Sequence, residues 1–457
     1  MIRKMFNRNR DFTKGSILSG VVSLAIPLMI GSFLQSTQSL IDLYWVGSLG
    51  SASIAAVAIS GTIIMILFTF AIGISMGTIS LVARSIGAQE NWLAGKIAEQ
   101  SIFVGLLLSL AIGLAGAPFS SNLLEFLGAD NAVVKAGDNY LKIILFGSPT
   151  MFLLFLGNSI LQGTGDTIRP MLFMVIANIL NIILDPIFIF GIGVPPMGTA
   201  GAALATIIGQ GTAASLVFIV LHKKGGKIHI HMRGFRPNME LIRHILKIGL
   251  PSSLQMFFRS TMQMTVISLV TSFGTVATAA FGLVMRLYIV FLMPGFALGS
   301  SASTLVGQNL GAKKPDRARN SAWIATCLHF TIMTLTCFFF LSFAEKILGF
   351  FHAQPPVIEE GAQFMRTIAP FLVFLAFGVV LNRALGGAGD TLVPMLITFI
   401  SLWAYLVPAA FFLSQHFGLQ GIWWAVATSM LLNGLLTLAW FETGHWKKCI
   451  GIPINNK

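Results

Sequence analysis

Charge is what this sequence has least of. Asp, Glu, Lys and Arg make up 10% of the 457 residues, and only 16 of them are acidic. A water-soluble domain carries about 25% charged residues, so this chain cannot cover a water-facing surface of its own. That excludes a soluble nucleic-acid binder, although a net charge of +13 and a pI near 10.0 would otherwise suggest one. Cysteine is scarcer still. Cys327, Cys337 and Cys449 are odd in number and share no metal-ligand spacing, which argues against a disulfide framework or a zinc site. The first two read as small packing residues of one apolar helix. No organic cofactor is expected, and no metal beyond a possible Na⁺.

What is present in quantity is hydrophobic sequence, at 55% of residues with a mean hydropathy of +0.83. Apolar runs of about 20 residues, long enough to cross a bilayer, recur from end to end. They are continuous rather than alternating, so the expected fold is an all-α polytopic membrane protein and not a barrel. The pattern predicts about twelve transmembrane helices, near 18–45, 52–82, 94–117, 137–160, 170–191, 199–221, 243–271, 276–305, 321–343, 358–385, 393–413 and 418–441. With the amino terminus inside, most of the 29 Lys and Arg fall on the cytoplasmic side, Lys14, Arg84, Lys96, Arg169, Lys247, Lys313, Arg317 and Arg383 among them. Lys135, Lys142, Lys346 and Arg366 fall outside, and Arg259 and Arg286 fall within the membrane. This asymmetry predicts a multi-pass protein of the plasma (inner) membrane with both termini cytoplasmic. The basic amino terminus before a long apolar run reads as a retained first helix, not a signal peptide.

The chain is written twice. Pro27 and Pro251, Phe33 and Phe257, Thr37 and Thr261, Gly87 and Gly311, Asn158 and Asn382, Asp166 and Asp390, and Met171 and Met395 match in pairs, each 224 residues apart. Six helices per half is an even number, so the halves run parallel across the membrane. Parallel repeats are a transporter architecture, with the substrate path between them. The expected domains are an amino-terminal lobe at 1–221, a cytoplasmic linker at 222–242, a carboxy-terminal lobe at 243–446 and a tail at 447–457. The linker holds His222, His229 and His231 but reads as a solvated basic connection, not a metal site.

The most conspicuous repeated words are Gly163-Thr-Gly-Asp-Thr-Ile-Arg-Pro170 and Gly387-Ala-Gly-Asp-Thr-Leu-Val-Pro394. Gly-x-Gly-Asp suggests a catalytic aspartate of an intramembrane protease. Such an enzyme needs two acids facing each other at one site, whereas these open their own halves at the cytoplasmic surface. They read as matched corners: glycine for the reversal, Asp or Thr as cap, proline in the new helix's first turn. No Gly-Lys-Ser/Thr follows, so a phosphate loop is also disfavoured.

Acids inside transmembrane helices are costly and mark function. Gln35, Gln38 and Asp42 share one face of the first helix, and Asn178, Asn181 and Asp185 share one face of the fifth. At about 1.5 Å per residue, Asp42 and Asp185 both lie within about 10 Å of the outer helix ends. Tyr140 enters from the fourth helix at similar depth, and Thr206 sits about a turn further down the sixth. Two carboxylates in one dry pocket cannot easily both stay ionised. Such a pair takes up a proton, or binds Na⁺ with amide and hydroxyl oxygens as further ligands. Pro27 and Pro186 remove helix hydrogen bonds beside these groups and suit bending. Arg259 and Arg286 are the mirror puzzle, lying mid-helix in the second half without an acid there. His329 reads as a satisfied packing histidine.

Several stretches together resemble the multidrug and toxic compound extrusion (MATE) transporters. They are Leu305-Val-Gly-Gln-Asn-Leu-Gly-Ala312 and its weaker copy Leu81-Val-Ala-Arg-Ser-Ile-Gly-Ala88, the paired Gly-Asp-Thr turns, and Gly198-Thr-Ala-Gly201 opening the sixth helix. The resemblance covers essentially the whole chain. It implies two lobes around a large central cleft and export of organic cations driven by inward H⁺ or Na⁺. It also implies an amino-lobe cation site at Asp42, Asn181, Asp185 and Thr206, with Tyr140 and Asn158 nearby. Asp185 after Asn181 resembles the DinF-like branch. The NorM-like branch places a coupling glutamate where this chain has Arg259, so a carboxy-lobe cation site looks absent.

The reading is therefore a non-enzymatic secondary antiporter that works by alternating access. It is expected as a monomer among membrane lipids, exporting organic, mostly cationic, drugs and binding no nucleic acid, with H⁺ favoured over Na⁺. The alternative is a lipid or lipid-linked sugar flippase of the same superfamily, with Arg259 and Arg286 gripping an anionic headgroup.

Overall fold

Backbone N–H and C=O groups facing lipid have no water to pair with, so each apolar run satisfies them internally by forming a helix. The computed structural model describes residues 10–223, 226–231 and 234–448. The helices are α1 Ile17–Gly47, α2 Ser51–Gly87, α3 Asn91–Gly116, α4 Asn131–Thr164, α5 Ile168–Phe190 and α6 Thr199–His222. The second half supplies α7 Met239–Thr271, α8 Thr275–Gly311, α9 Pro315–Gly349, α10 Pro355–Ala388, α11 Leu392–Phe417 and α12 Leu419–Thr443. Eleven of them are long and apolar enough to cross a membrane. The exception among the expected twelve is α7, long enough at 33 residues but more polar, carrying Glu240, Arg243, Lys247 and Arg259. Cys449, the first nine residues and most of the 447–457 tail lie outside the described residues.

The repeated corners have matched geometry. Gly165 and Gly389 end α4 and α10 with φ of 89° and 90°, the left-handed region that suits glycine. The N–H of Asp166 donates to the Leu161 carbonyl and that of Asp390 to the Leu385 carbonyl, both at 3.0 Å. Asp166 then accepts from the Arg169 N–H at 3.2 Å, and Asp390 from the Val393 N–H. The aspartates cap helices.

The chain forms two compact units, one built on Ile26–Leu250 and the other joining Asp11–Ala25 to the chain from Pro251 onward. Both divisions fall beside a proline inside a helix, Pro27 in α1 and Pro251 in α7. The start of α1 thus counts with the second unit and the start of α7 with the first. In the first unit α4 packs against α2, α3 and α6, and α5 against α6. In the second, α8, α9, α10 and α12 enclose an extensive apolar core, with Phe281, Phe364 and Trp423 stacked together.

The connection after α6 is not simply solvated. Ile228 and Ile230 are buried, and the His231 N–H donates to Glu99 Oε1 at 2.9 Å. Gln100 donates to the Arg236 carbonyl at 2.9 Å and accepts from the Asn238 N–H at 3.0 Å. Two buried polar residues of α3 hold the strap, and Ile228 and Ile230 supply its apolar anchors. The His229 and His231 rings meet edge to face at 4.2 Å, and no cluster suited to a metal ion occurs among the described residues.

Helix regularity differs between the halves. Pro149 and Pro186 interrupt the hydrogen bonding of α4 and α5. The corresponding α10 and α11 also contain prolines, Pro370 and Pro408, and in addition carry wide π-helical turns at Phe377–Leu381 and Ile400–Leu406. Such turns widen a helix locally and often mark functional positions.

Candidate functional site

In the first unit α1, α4, α5 and α6 bring the expected acids together. The carboxyl groups of Asp42 and Asp185 lie within hydrogen-bonding reach of each other. Asp185 is fully buried and Asp42 half-buried. Asn181, also fully buried, directs its Nδ2 to Asp185 Oδ1 at 3.3 Å and to Thr206 Oγ1 at 3.4 Å. The Thr206 hydroxyl in turn donates to the Ala202 carbonyl at 3.0 Å. Tyr140 is within electrostatic reach of both acids. Asn178 donates to the Leu34 carbonyl at 2.8 Å, tying α5 to α1.

Three buried oxygens of this cluster, Asp42 Oδ1, Asp185 Oδ2 and Asn181 Oδ1, have no hydrogen-bond partner. Buried polar atoms are nearly always paired, so three unpartnered oxygens on neighbouring side chains are an exception. Among the described residues of this unit the ion pairs are Lys96–Glu99, Lys142–Asp138 and Arg169–Asp166, and none uses Asp42 or Asp185.

Other expected residues stand apart. Gln35 is exposed and Gln38 half-buried. Asn158 is half-buried with its Oδ1 unpartnered, but it lies 18 residues after Tyr140 on α4, about 27 Å along the helix. It is not brought beside the acids. Helices α1 and α5 run on through Pro27 and Pro186. A residue missed in the sequence is Trp45, one turn after Asp42, which like Tyr140 packs against Val46, Ile189 and Ala202 and leaves its Nε1 buried and unpartnered. The i, i+3 spacing from Asp42 was its signal.

The second unit holds a cavity of about 310 Å³ lined by Arg259 and by apolar and aromatic side chains, among them Met262, Phe281, Tyr288 and Phe296. Both π-helical turns border it, through Gly378, Val379, Leu402 and Leu406. Asn433 Oδ1 sits over Gly378, where a Cβ would approach it to 2.6 Å. Arg259 is half-buried with its Nε enclosed and unpartnered. Arg286 is exposed and does not line this cavity, so the two expected arginines do not form one site.

The partner of Arg259 is one that charge topology assigned to the cytoplasmic surface. Arg383 lies inside the unit, donating to Ser300 Oγ at 3.0 Å with its guanidinium 5.2 Å from the Phe296 ring centre. It is within electrostatic reach of Arg259. His329 is fully buried against Gly295, but both ring nitrogens lack partners, so it packs without being satisfied.

Comparison with known proteins agrees with this architecture. The MatE family model matches residues 27–187 and again 251–411, two segments in the register of the repeat. The probable multidrug resistance protein YpnP of Bacillus subtilis is 30% identical over 96% of this chain and 97% of its own length. An FAD transporter of Shewanella oneidensis is 27% identical over 91% of this chain and 92% of its own. A solved MOP superfamily transporter from Pyrococcus furiosus, described as having a binding pocket of reverse polarity that suggests a different function, superposes with a TM-score of 0.87. It is 27% identical and covers 96% of this chain and 98% of that one. With two copies of the family's conserved region and a relative matched along nearly its full length, this chain belongs to the MATE family of multi-pass membrane transporters and is not an enzyme.

Proposed function

We propose that the protein is a cation-coupled multidrug antiporter whose coupling site is the Asp42/Asp185 cluster. The observation that carries this reading is the meeting of two unpaired carboxyls with Asn181 and Thr206 in one buried pocket. Two carboxylates within hydrogen-bonding reach repel strongly where water is excluded. A shared proton relieves the repulsion and turns one oxygen into a donor to the other acid. Sodium does the same by drawing both carboxylates and the Asn181 oxygen inward as ligands. A proton needs only the two acids, so H⁺ is the favoured coupling ion. Release of the ion restores the repulsion and reshapes the pocket. This links occupancy to alternating access between two lobes, with both termini cytoplasmic and the monomer as the working unit. Organic cations compete for the same negative charge.

Substituting Asp42 with Asn in proteoliposomes tests this. Efflux of an organic cation such as ethidium driven by a pH gradient is expected to fall to background, with the protein still monodisperse. Undiminished driven efflux would sink the reading. Sodium titrated at a fixed pH gradient is expected to leave the rate unchanged; stimulation would move the assignment to Na⁺. The flippase alternative has less support, because Arg286 does not share the cavity of Arg259.

A further inference from the structure

The cavity of the second unit has chemistry opposite to that of the acid cluster, and the cation-exporter reading does not use it. Arg259 lines it with a buried, unpartnered Nε. Arg383 stands behind Phe296, a lining ring, and adds a second positive charge. Among the described residues of this unit no carboxylate pairs with either guanidinium; the ion pairs there are Arg319–Glu442, Arg366–Glu345, Lys447–Asp316 and Lys14–Asp11. An unpaired charge in a membrane helix is costly and calls for a partner. Arg383 spends one donor on Ser300 and its face on Phe296, and Arg259 has no hydrogen bond of its own among the described residues.

The rest of the wall says what the partner carries besides charge. Phe281, Tyr288 and Phe296 offer ring surfaces, and Met262, Met285 and Met430 are adaptable apolar fillers. Asn433 and Gln263 add neutral hydrogen-bonding groups. At about 310 Å³ the space is at the small end of ligand pockets. We infer that this cavity is a binding site for an aromatic organic anion, its carboxylate or phosphate paired with Arg259 in the field of Arg383 and its ring system set among the Phe, Tyr and Met side chains. A planar guanidinium pairs with such groups through two parallel hydrogen bonds.

Riboflavin 5′-phosphate and riboflavin are a matched probe pair, fluorescent and differing by one phosphate. Binding is measured by fluorescence on the full chain in phosphatidylcholine nanodiscs without any ion gradient, so the result does not depend on the coupling mechanism. The phosphate form is expected to bind at least about tenfold tighter than riboflavin. Arg259→Gln is expected to abolish that preference, Arg383→Gln to reduce it, and Arg259→Lys to keep part of it. Equal binding of the two probes by the native protein would overturn the inference. So would a preference unchanged in Arg259→Gln when that variant melts within a few degrees of the native protein. If Arg259→Gln fails to fold, loss of the preference in Arg383→Gln supports the site and its full retention there counts against it. Replacing part of the bilayer with phosphatidylglycerol separates the sources of the anion. Displacement of the phosphate probe in an Arg259-dependent way assigns the site to lipid headgroups, and unchanged affinity assigns it to a soluble anion.

Discussion

The two halves share a backbone plan and part company in the polar groups they bury. Position for position, Gln35 of α1 corresponds to Arg259 of α7, and Asp42 to Val266. The turn into α6, where Gly198 has φ of 58°, corresponds to the turn into α12, where Gly418 has the same angle. Gly201 and Gly421 follow at the same spacing, so Thr206 corresponds to Val426. Arg259, Val266 and Val426 all line the second unit's cavity. That cavity is therefore lined by the repeat counterparts of Asp42 and Thr206, with their oxygen donors replaced by methyl groups, and by Arg259 where the first half has the exposed Gln35. No acid occurs between Leu392 and Phe417 to stand in for Asp185. A repeated helical scaffold fixes where a pocket forms, while a handful of buried side chains fixes its charge.

The largest effect is expected from exchanging residues across that correspondence. Asp42→Val places the second unit's residue in the first and should reduce pH-driven efflux more than tenfold, to background, because Asp185 is left without a second carboxyl to share an ion. Adding Val266→Asp to that variant should not restore transport. The new carboxyl would face Arg259 two turns away and has no equivalent of Asp185 beside it. Recovery of driven efflux in the double variant would show that either half can host the coupling site, and the comparison would lose its point. The same Val266→Asp change alone should remove the preference for the phosphate probe, since an internal anion would then neutralise Arg259.

A smaller contrast lies in the paired corners. A Cβ on Gly387 would come within 2.2 Å of the Ser303 carbonyl oxygen and 2.5 Å of its Cα, which are backbone atoms of α8. On the matching Gly163 the nearest atoms are Cγ1 and Cβ of Val82 at 2.8 and 3.0 Å, and the nearest backbone atom, the Ala83 nitrogen, is further off at 3.3 Å. Overpacking costs about 1–3 kcal/mol, and Gly387→Ala should fall at the upper end with Gly163→Ala below it. Thermal unfolding in detergent checks this: a larger loss for Gly163→Ala would mean that the first corner is the tighter one.

Much of this was legible in the sequence, and what was not has identifiable causes. Helix spans and the repeat register follow from hydropathy and the 224-residue offset, and the shared faces of Asp42 and of Asn181 with Asp185 from i, i+3, i+7 spacing, all local to the chain. That Tyr140 and Thr206 join them was an expectation from depth and from the family resemblance. Arg383 was misplaced because charge topology treats a basic residue near a helix end as solvated. Whether its side chain runs outward or folds back over Phe296 and onto Ser300 depends on neighbouring helices. Packing partners likewise decided that Ile228 and Ile230 bury the strap after α6. The π-helical turns that border the second cavity contain no proline themselves, and the nearby Pro370 and Pro408 mark an interrupted helix without saying that it widens. Arg259 was correctly singled out as unpaired, but its expected companion Arg286 shared only depth along the sequence and not a face of the pocket.

The smallest predicted difference is one of pH, at the corner aspartate of the second unit. Asp390 is buried, and burial raises its carboxyl above the ordinary value of 3.8, against the lowering effect of hydrogen bonds from Trp440 Nε1 at 2.7 Å and from the Val393 N–H. A carboxyl that holds its proton more tightly in the folded chain than in the unfolded one stabilises the fold while protonated. That contribution is fully present below 3.8 and is lost as pH rises through the folded value. The melting temperature should therefore lose a small increment as pH rises above the ordinary value of 3.8 that Asp390→Asn does not lose, because the amide cannot ionise yet still accepts from Trp440. Subtracting the two melting curves across that range isolates the group from every other titration in the protein. A difference that stays flat, or that grows in favour of the native aspartate as pH rises, would mean that the hydrogen bonds outweigh burial. The second corner would then hold its aspartate as an ordinary ionised helix cap.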